Sequence, residues 1–289
     1  AKSNNKFLLI FHYFNIIFFK FSIQLIIMIR IKNKKKYGQH FLICEDTAFD
    51  IVNLLSDKTN VIEIGPGKGM LTKYLVDKNF DKFIVTEIDD DCVLFLKETY
   101  LNKLLIIHDD ILKLDFNRIF KSKFSIISNL PYYISSQILF KVLENRLLIS
   151  EFVILIQKEV GERICSSHNK KSYGILSVLL QTYFNLTLEF IVKPNLFNPP
   201  PKVHSAVVKG IRNDVKDIGI DYNFYKNIIK QSFQNRRKTL RNSLKNLNLP
   251  LEFIENNIFS KRAEQLEVNE FIWLSKEIKK INNEIFSNK

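Results

Sequence analysis

The chain has 289 residues, 46% of them hydrophobic, which is enough for one large domain plus a smaller one and excludes a globally disordered protein. Its formal net charge of +13 favours a polyanionic partner, either a nucleic acid or an anionic membrane surface. Three widely spaced cysteines and five unclustered histidines indicate neither a disulfide framework nor a metal site, so we expect no metal and a reducing, cytoplasmic location.

A nearly continuous apolar run occupies residues 7–29 and is long enough to span a bilayer. Polar residues such as His12 and Lys20 interrupt it, and no small-residue cleavage site follows. Because Met28 stands directly before the first recognisable motifs, we predict that residues 1–27 are an apolar extension outside the fold. A membrane anchor is the alternative reading of this run, although we expect no stable membrane association.

A basic run over residues 30–36 leads directly into Y-G-Q-H-F-L at 37–42. The run is either a solvated tail or an arm that contacts phosphates. Residues 45–56 then carry apolar side chains at helical spacing and predict the first helix.

The stretch V-I-E-I-G-P-G-K-G at residues 61–69 organises the rest of the chain. An apolar strand is followed by three glycines at alternate positions, and residues 70–76 then have the periodicity of a helix. Because glycine lacks a Cβ, the backbone at Gly65 and Gly67 can take positive φ and approach a ligand closely. The pattern predicts a nucleotide-like ligand, with a helix N-terminus presenting free amides to it.

Strands and helices then alternate, which predicts an α/β fold: a mostly parallel, Rossmann-like sheet with helices on both faces. The predicted strands lie at 83–86, 104–107, 124–128, 151–157, 187–192 and 205–211. The predicted helices lie at 91–100, 135–145, 158–165 and 175–184. In such sheets the ligand sits beyond the carboxyl ends of the strands, where this chain places its polar clusters.

Two acidic residues at strand ends are candidates for binding a nucleoside. Glu87 follows the glycines by about twenty residues, where a carboxylate can accept both hydrogens of a ribose diol. Asp110 can accept a hydrogen bond from an adenine amino group, and Asp109 competes for that role. NAD is a competing ligand, but the glycine spacing suits it poorly.

The sequence Asn129-Leu130-Pro131-Tyr132 is the most specific signal in the chain. Asn129 supplies a side-chain acceptor, and the proline exposes backbone carbonyls without adding a donor. Tyr132 supplies a flat ring. Two acceptors beside a ring suit the exocyclic amino group of a planar base.

From residue 214 onward no strand pattern is visible, and we predict a small all-helical domain. Its first helix has an apolar stripe at Phe224, Ile228, Ile229, Phe233, Leu240 and Leu244. The opposite surface is cationic, with candidate RNA-binding residues Lys230, Arg236, Arg237, Lys238 and Arg241. Residues 248–250 end this helix, and two further helices are predicted near 251–258 and 267–283.

These motifs together resemble an S-adenosylmethionine-dependent adenine-N6 methyltransferase. More narrowly, the chain resembles the small-subunit ribosomal RNA adenine dimethyltransferases from about residue 30 to 275. The segments that carry this resemblance are YGQHFL, QKEVGERI, FNPPPKVHSAVV, FQNRRKTLRNSL and RAEQL. His40 stands where the family more often has Asn, Tyr133 where Asn is common, and Gly161 where Ala is frequent.

The resemblance implies a class I methyltransferase domain at 28–213, a helical RNA-binding domain at 214–289 and S-adenosylmethionine as cofactor. The implied and candidate cofactor-binding residues are His40, Leu42, Gly65, Gly67, Glu87, Asp110 and Asn129. The expected catalytic residues are Asn129, Leu130, Pro131 and Tyr132, and the base is expected to stack on Tyr132 and Phe197.

The implied substrate is a pair of neighbouring adenosines near the 3′ end of small-subunit (16S-type) rRNA, dimethylated in a pre-ribosomal 30S-type particle by a monomeric enzyme. The alternatives are a large-subunit rRNA methyltransferase of the macrolide-resistance type and a non-catalytic assembly factor on the same scaffold. The segments FQNRRKTLRNSL and RAEQL argue against the first, and the intact site residues argue against the second.

Overall fold

The computed structural model describes residues 34–56 and 59–287, so the apolar run and the first part of the basic run lie outside the described residues. Within the described part, no helix combines the length and the apolar character needed to cross a membrane. That residues 1–27 are an extension outside the fold therefore stays a prediction.

The chain divides into two compact units. The first runs to Ile134 and also contains Pro194–Lys202; the second comprises Ser135–Lys193 and the chain from Val203 onward. The predicted domain boundary between residues 213 and 214 stays a prediction.

The strands of the described residues are β1 (Phe41–Leu42), β2 (Asn60–Ile64), β3 (Lys82–Glu87), β4 (Leu105–His108), β5 (Phe124–Asn129), β6 (Ile149–Gln157), β7 (Phe184–Val192), β8 (Phe197–Asn198) and β9 (Ser205–Arg212). The α-helices are α1 (Glu45–Asn53), α2 (Thr72–Leu75), α3 (Asp90–Tyr100), α4 (Phe116–Ile119), α5 (Ser135–Glu144), α6 (Lys158–Ile164), α7 (Ile175–Tyr183), α8 (Tyr222–Gln234), α9 (Leu240–Ser243), α10 (Leu251–Ile254) and α11 (Val268–Ser287). The α/β fold class is confirmed.

The first unit is built on four parallel strands in the order β4-β3-β2-β5. In β2, β3 and β5, consecutive apolar residues, which point to opposite faces of the sheet, are fully buried: Val61 with Ile62, Ile84 with Val85, and Ile126 with Ile127. Continuous apolar runs are typical of parallel strands covered by helices. Because the strands are parallel, their carboxyl ends lie at one edge, which places the polar residues that follow them side by side.

A short antiparallel pair, β1 with β8, was not predicted from the sequence. It joins Phe41 to Asn198 and Leu42 to Phe197. Strands of two residues carry too little periodicity to be recognised in the sequence. The pair ties the segment before α1 to the segment that contains the three consecutive prolines.

In the second unit β9 pairs antiparallel with both β6 and β7. The expected predominance of parallel strands therefore holds only for β2–β5. The connection from β7 to β9, all of which lies within the described residues, contains no α-helix that could cross the sheet. The chain therefore returns antiparallel beside the strand it has just left.

The predicted single helix from Phe224 past Leu244 is wrong, because α8 ends at Gln234 and α9 begins only at Leu240. Between them the backbone pairs with a distant segment: Thr239 bridges to Arg262, and the Leu240 N–H donates to the Lys261 carbonyl at 2.8 Å. These pairings take backbone groups that a continuous helix would use. The two later helices are found, although the first, α10, has only four residues.

Candidate active site

A cavity of about 270 Å³ lies in the first unit, at the edge where the carboxyl ends of β2–β5 meet. Its lining comes from the ends of these strands and from the segment 34–42, called the strap below. Of the predicted site residues, those in the lining are His40, Gly65, Gly67, Glu87, Asp110, Asn129, Leu130, Pro131 and Tyr132. The topology thus brings most of the predicted site together.

The glycine turn forms one wall of the cavity. Gly65 and Gly67 have φ of +63° and +55°, the left-handed region that L side chains rarely adopt. A Cβ on Gly67 would lie 2.6 Å from a ring carbon of Phe41, whereas a Cβ on Gly65 would project into open space. Glycine at position 67 is therefore required by the close approach of the strap.

The helix predicted at residues 70–76 is only the single turn α2, preceded by turn residues. The amide of Gly67 is not a free helix-terminal donor, because it donates to Glu87 Oε2 at 3.0 Å. The prediction of a ligand cradled by helix N-terminal amides is therefore replaced by a glycine turn bound to a carboxylate.

Glu87 is held rigidly at the end of β3. Its side chain is buried, and Oε1 accepts from the Ile88 and Asp89 amides at 2.8 and 3.0 Å. Burial raises the pKa of Glu87 above its ordinary value, although these backbone hydrogen bonds oppose the shift. The carboxylate is fixed in orientation where it lines the cavity.

Asp109 and Asp110 both line the cavity after β4. Asp110 is half-buried and accepts from the Leu112 amide at 2.9 Å, whereas Asp109 is exposed and accepts from the Asp110 amide at 2.7 Å. Asp110 is therefore the more enclosed of the two carboxylates.

Asn129 ends β5, and its Nδ2 donates to the His40 carbonyl at 3.0 Å. Since the amide nitrogen is used in this way, the side-chain oxygen is the group that Asn129 presents as an acceptor. The Pro131 carbonyl already accepts from the Ile134 amide at 3.2 Å. Tyr132 is half-buried in a 3₁₀ turn and stacks with the His40 ring, with 5.5 Å between ring centroids and 27° between ring planes.

A cluster of charged and polar side chains, which was not predicted from the sequence, binds the strap to the residues that follow β3. The Lys34 ammonium pairs with Asp89 and lies 2.7 Å from Asp91 Oδ2, and Gln39 Nε2 donates to Asp89 Oδ2 at 2.8 Å. Asp89 is fully buried and caps α3. Although burial opposes its charge, the hydrogen bonds from Lys34, Gln39 and the Asp91 amide hold the pKa of Asp89 below its usual range.

Leu42 and Phe197 are not in the lining of the cavity. They face each other in the β1–β8 pair and are 3% and 2% exposed, so both side chains are packed in the core. Their predicted contacts with the cofactor and the target base stay predictions. Tyr37, Gly38, Gln39 and Phe41 line the cavity although they were not predicted individually; their position beside His40 in Y-G-Q-H-F-L was the available signal.

The candidate RNA-binding residues lie on α8, on α9 and on the segment between them, in the second unit. All five side chains are exposed. Arg236 Nη2 donates to the Tyr173 carbonyl at 3.3 Å, and Arg241 Nη2 to the Ile254 carbonyl at 2.9 Å. The Lys230 ammonium lies 5.7 Å from the centroid of the Phe140 ring. Arg236 and Arg241 therefore also contribute hydrogen bonds to the fold.

The cavity offers two carboxylates that can accept hydrogen bonds, an apolar wall that includes Phe41 and Leu130, and open space beside Gly65. Among residues 34–56 and 59–287, no group of three or more His, Cys, Asp or Glu side chains could hold a metal ion.

Comparisons with known proteins find relatives that match most of the chain. The chain is 48% identical over 255 residues to ribosomal RNA small subunit methyltransferase A of Flavobacterium johnsoniae, covering 87% of this chain and 97% of the relative. A protein of the same name from Mycoplasma mycoides is 43% identical over 258 residues, covering 84% and 96%.

Two solved structures share the fold. A dimethyladenosine transferase from Plasmodium falciparum superposes with a TM-score of 0.75 at 27% identity, covering 84% of this chain and 98% of that one. The 23S rRNA methyltransferase ErmE has a TM-score of 0.60 at 20% identity, covering 83% and 99%, which shows a common fold alone. The family described as ribosomal RNA adenine dimethylase matches residues 30–280, and the chain belongs to that family.

Proposed function

We propose that this chain is an S-adenosylmethionine-dependent rRNA adenine-N6 dimethyltransferase. Its substrate is two adjacent adenosines near the 3′ end of small-subunit rRNA, within a pre-ribosomal particle. Family membership supports the reaction class, and the relatives named small subunit methyltransferase support the choice of subunit.

The observation that carries the proposal is the shared cavity. The N-L-P-Y segment at 129–132, the glycine turn and the carboxylates of Glu87 and Asp110 all line it. A site for a planar base and a site for a nucleoside cofactor therefore adjoin, which a transfer reaction between two bound molecules requires.

S-adenosylmethionine, when bound, supplies a sulfonium-activated methyl group. Glu87 would accept hydrogen bonds from its ribose hydroxyls and Asp110 from its adenine amino group. The glycine turn would lie against the ligand, since Gly65 has no side chain to fill the space beside it.

Toward the target base, the chain acts by positioning and by hydrogen bonding. The amino nitrogen of adenine is a weak nucleophile because its lone pair is delocalised into the ring. Hydrogen bonds from its hydrogens to Asn129 Oδ1 and to the Leu130 or Pro131 carbonyl favour a pyramidal nitrogen with an available lone pair. Tyr132 holds the base by stacking, which contributes roughly 1–3 kcal/mol. No strong base is needed for this step.

The test is methylation of purified small ribosomal subunits that lack adenine dimethylation, with large subunits as the control. We expect N6,N6-dimethyladenosine in the rRNA nucleosides and primer-extension stops at two neighbouring adenosines of small-subunit rRNA. Modification confined to large-subunit rRNA, or no modification of either RNA by the full chain with S-adenosylmethionine, would overturn the proposal.

A further inference from the structure

The His40 ring makes contacts that its family-implied role in cofactor binding does not explain. It stacks with Tyr132, and its Nδ1 lies 2.8 Å from the Pro199 carbonyl oxygen. Since a carbonyl can only accept, the proton of this hydrogen bond belongs to Nδ1. The ring is therefore held by a backbone group on one side and lies against the tyrosine of N-L-P-Y.

The backbone of His40 contacts the same motif a second time. Its carbonyl accepts from Asn129 Nδ2 at 3.0 Å, which orients the asparagine amide. One residue of the strap thus contacts the first and last members of N-L-P-Y, Asn129 through its backbone and Tyr132 through its ring.

We propose that His40 is a positioning residue for the target base, an inference that rests on the proposed function and deepens it. The imidazole supports one face of the Tyr132 ring and sets its plane, so an adenine that stacks on Tyr132 occupies the opposite face. The carbonyl of His40 turns the Asn129 oxygen into position to accept from the amino group of that adenine.

The two contributions of His40 differ in their dependence on the side chain. Any residue at position 40 supplies the carbonyl that binds Asn129, but only a flat ring supports Tyr132. The Asn that is usual in the family would keep the first contribution and lose the second. The ring of His40 is thus a feature of this chain that the usual Asn would not supply.

A double-mutant cycle tests this mechanism. Single-turnover methylation of small subunits would be measured for the wild type, His40→Ala, Tyr132→Ala and the double variant. We expect His40→Ala to slow methylation by about 2- to 12-fold, the range for loss of one aromatic pair. Because His40 acts through Tyr132, the double variant should be no slower than Tyr132→Ala.

A ring-preserving variant completes the test. His40→Phe keeps a flat ring against Tyr132 and should recover most of the lost rate, whereas His40→Asn should not. If the rate losses of His40→Ala and Tyr132→Ala multiplied in the double variant, or if His40→Phe were as slow as His40→Ala, the inference would be overturned. Absence of wild-type methylation would overturn the proposed function as well, so the two failures are distinguishable.

Discussion

At the scale of single residues, Asn129 and Tyr132 line the same cavity but offer different chemistry. Asn129 presents an acceptor oxygen because its amide nitrogen is bound to the strap, whereas Tyr132 presents a ring. An acceptor that tightens as the adenine nitrogen becomes pyramidal acts on the rate of methyl transfer, while a stacking ring acts on base placement.

Asn129→Ala should therefore lower the single-turnover methylation rate by about 10²–10³, comparable to the loss of one oxyanion-hole donor. RNA affinity should barely change, because most of it comes from phosphate contacts elsewhere. Tyr132→Phe keeps the ring and should be mild, whereas Tyr132→Ala should be severe yet still fold and bind S-adenosylmethionine. Near-normal turnover by Asn129→Ala would show that the site is assigned wrongly.

Glu63 gives the folded state a pH dependence of its own. It is 1% exposed and accepts from Thr72 Oγ1 at 2.7 Å, and burial raises its pKa from the ordinary 4.5 to about 8. Between these two values the folded protein keeps the proton that the unfolded chain releases, so the free energy of unfolding falls as pH rises. Below about 4.5 this contribution is fully present, and above about 8 it is lost.

Glu63→Gln is neutral at every pH and keeps an acceptor for Thr72. The variant should lose less stability than the wild type between about pH 5 and about pH 8, as measured by chemical denaturation at a series of pH values. Glu98→Gln on the exposed surface of α3 is the matched control and should follow the wild type. Parallel stability curves for Glu63→Gln and the wild type would contradict this assignment.

At the scale of elements, the position of the strap depends on an ion pair between residues that are far apart in the sequence. Lys34 supplies a cation to Asp89, which is fully buried and also caps α3. The strap contributes Tyr37, Gly38, Gln39, His40 and Phe41 to the cavity lining. Its attachment at Lys34 should therefore influence both the stability of the unit and the shape of the cofactor site.

Lys34→Met should lower the free energy of unfolding by roughly 1–3 kcal/mol and should weaken S-adenosylmethionine binding. The loss of a partner for buried Asp89 is costly, but the partial exposure of Lys34 moderates it. Lys34→Arg should keep both properties, and Lys97→Met, at an exposed position of α3, should match the wild type. Thermal unfolding and calorimetry measure the two quantities; wild-type values for Lys34→Met would refute the role of the cluster.

At the scale of the whole molecule, the net charge of +13 is opposite in sign to the phosphates of the proposed rRNA substrate. The candidate RNA-binding residues separate into two kinds. All five are exposed, but Arg236 and Arg241 also donate hydrogen bonds to backbone carbonyls. Substituting the two groups separately should distinguish residues that bind phosphates from residues that also stabilise the fold.

Neutralising Lys230, Arg237 and Lys238 to Gln should weaken RNA binding and flatten its salt dependence, by about one unit of slope for each phosphate that is no longer neutralised. Thermal stability and cofactor affinity should stay at wild-type values. Arg236→Gln with Arg241→Gln, the matched pair, should lower thermal stability as well. Filter binding of rRNA over a range of salt concentrations gives the slopes, and an unchanged slope in the triple variant would remove these residues from the interface.

Contiguous patterns in the sequence determined most of the fold and of the cavity chemistry. The strands β2–β5 follow from apolar runs, the glycine turn from its spacing, and Glu87, Asp110 and Asn129 from their places at strand ends. Each of these signals lies within a few residues of the feature it predicts, because strand formation and turn geometry are local properties of the backbone.

Tertiary structure alone decided the contacts that complete the site. Lys34 meets Asp89 across 55 residues, and His40 meets Pro199 across 159. The break between α8 and α9 likewise comes from pairing of Thr239 and Leu240 with Arg262 and Lys261. Such contacts produce no periodic pattern in the sequence. Each residue forms its hydrogen bond or ion pair with a group that lies nearby only in the folded chain.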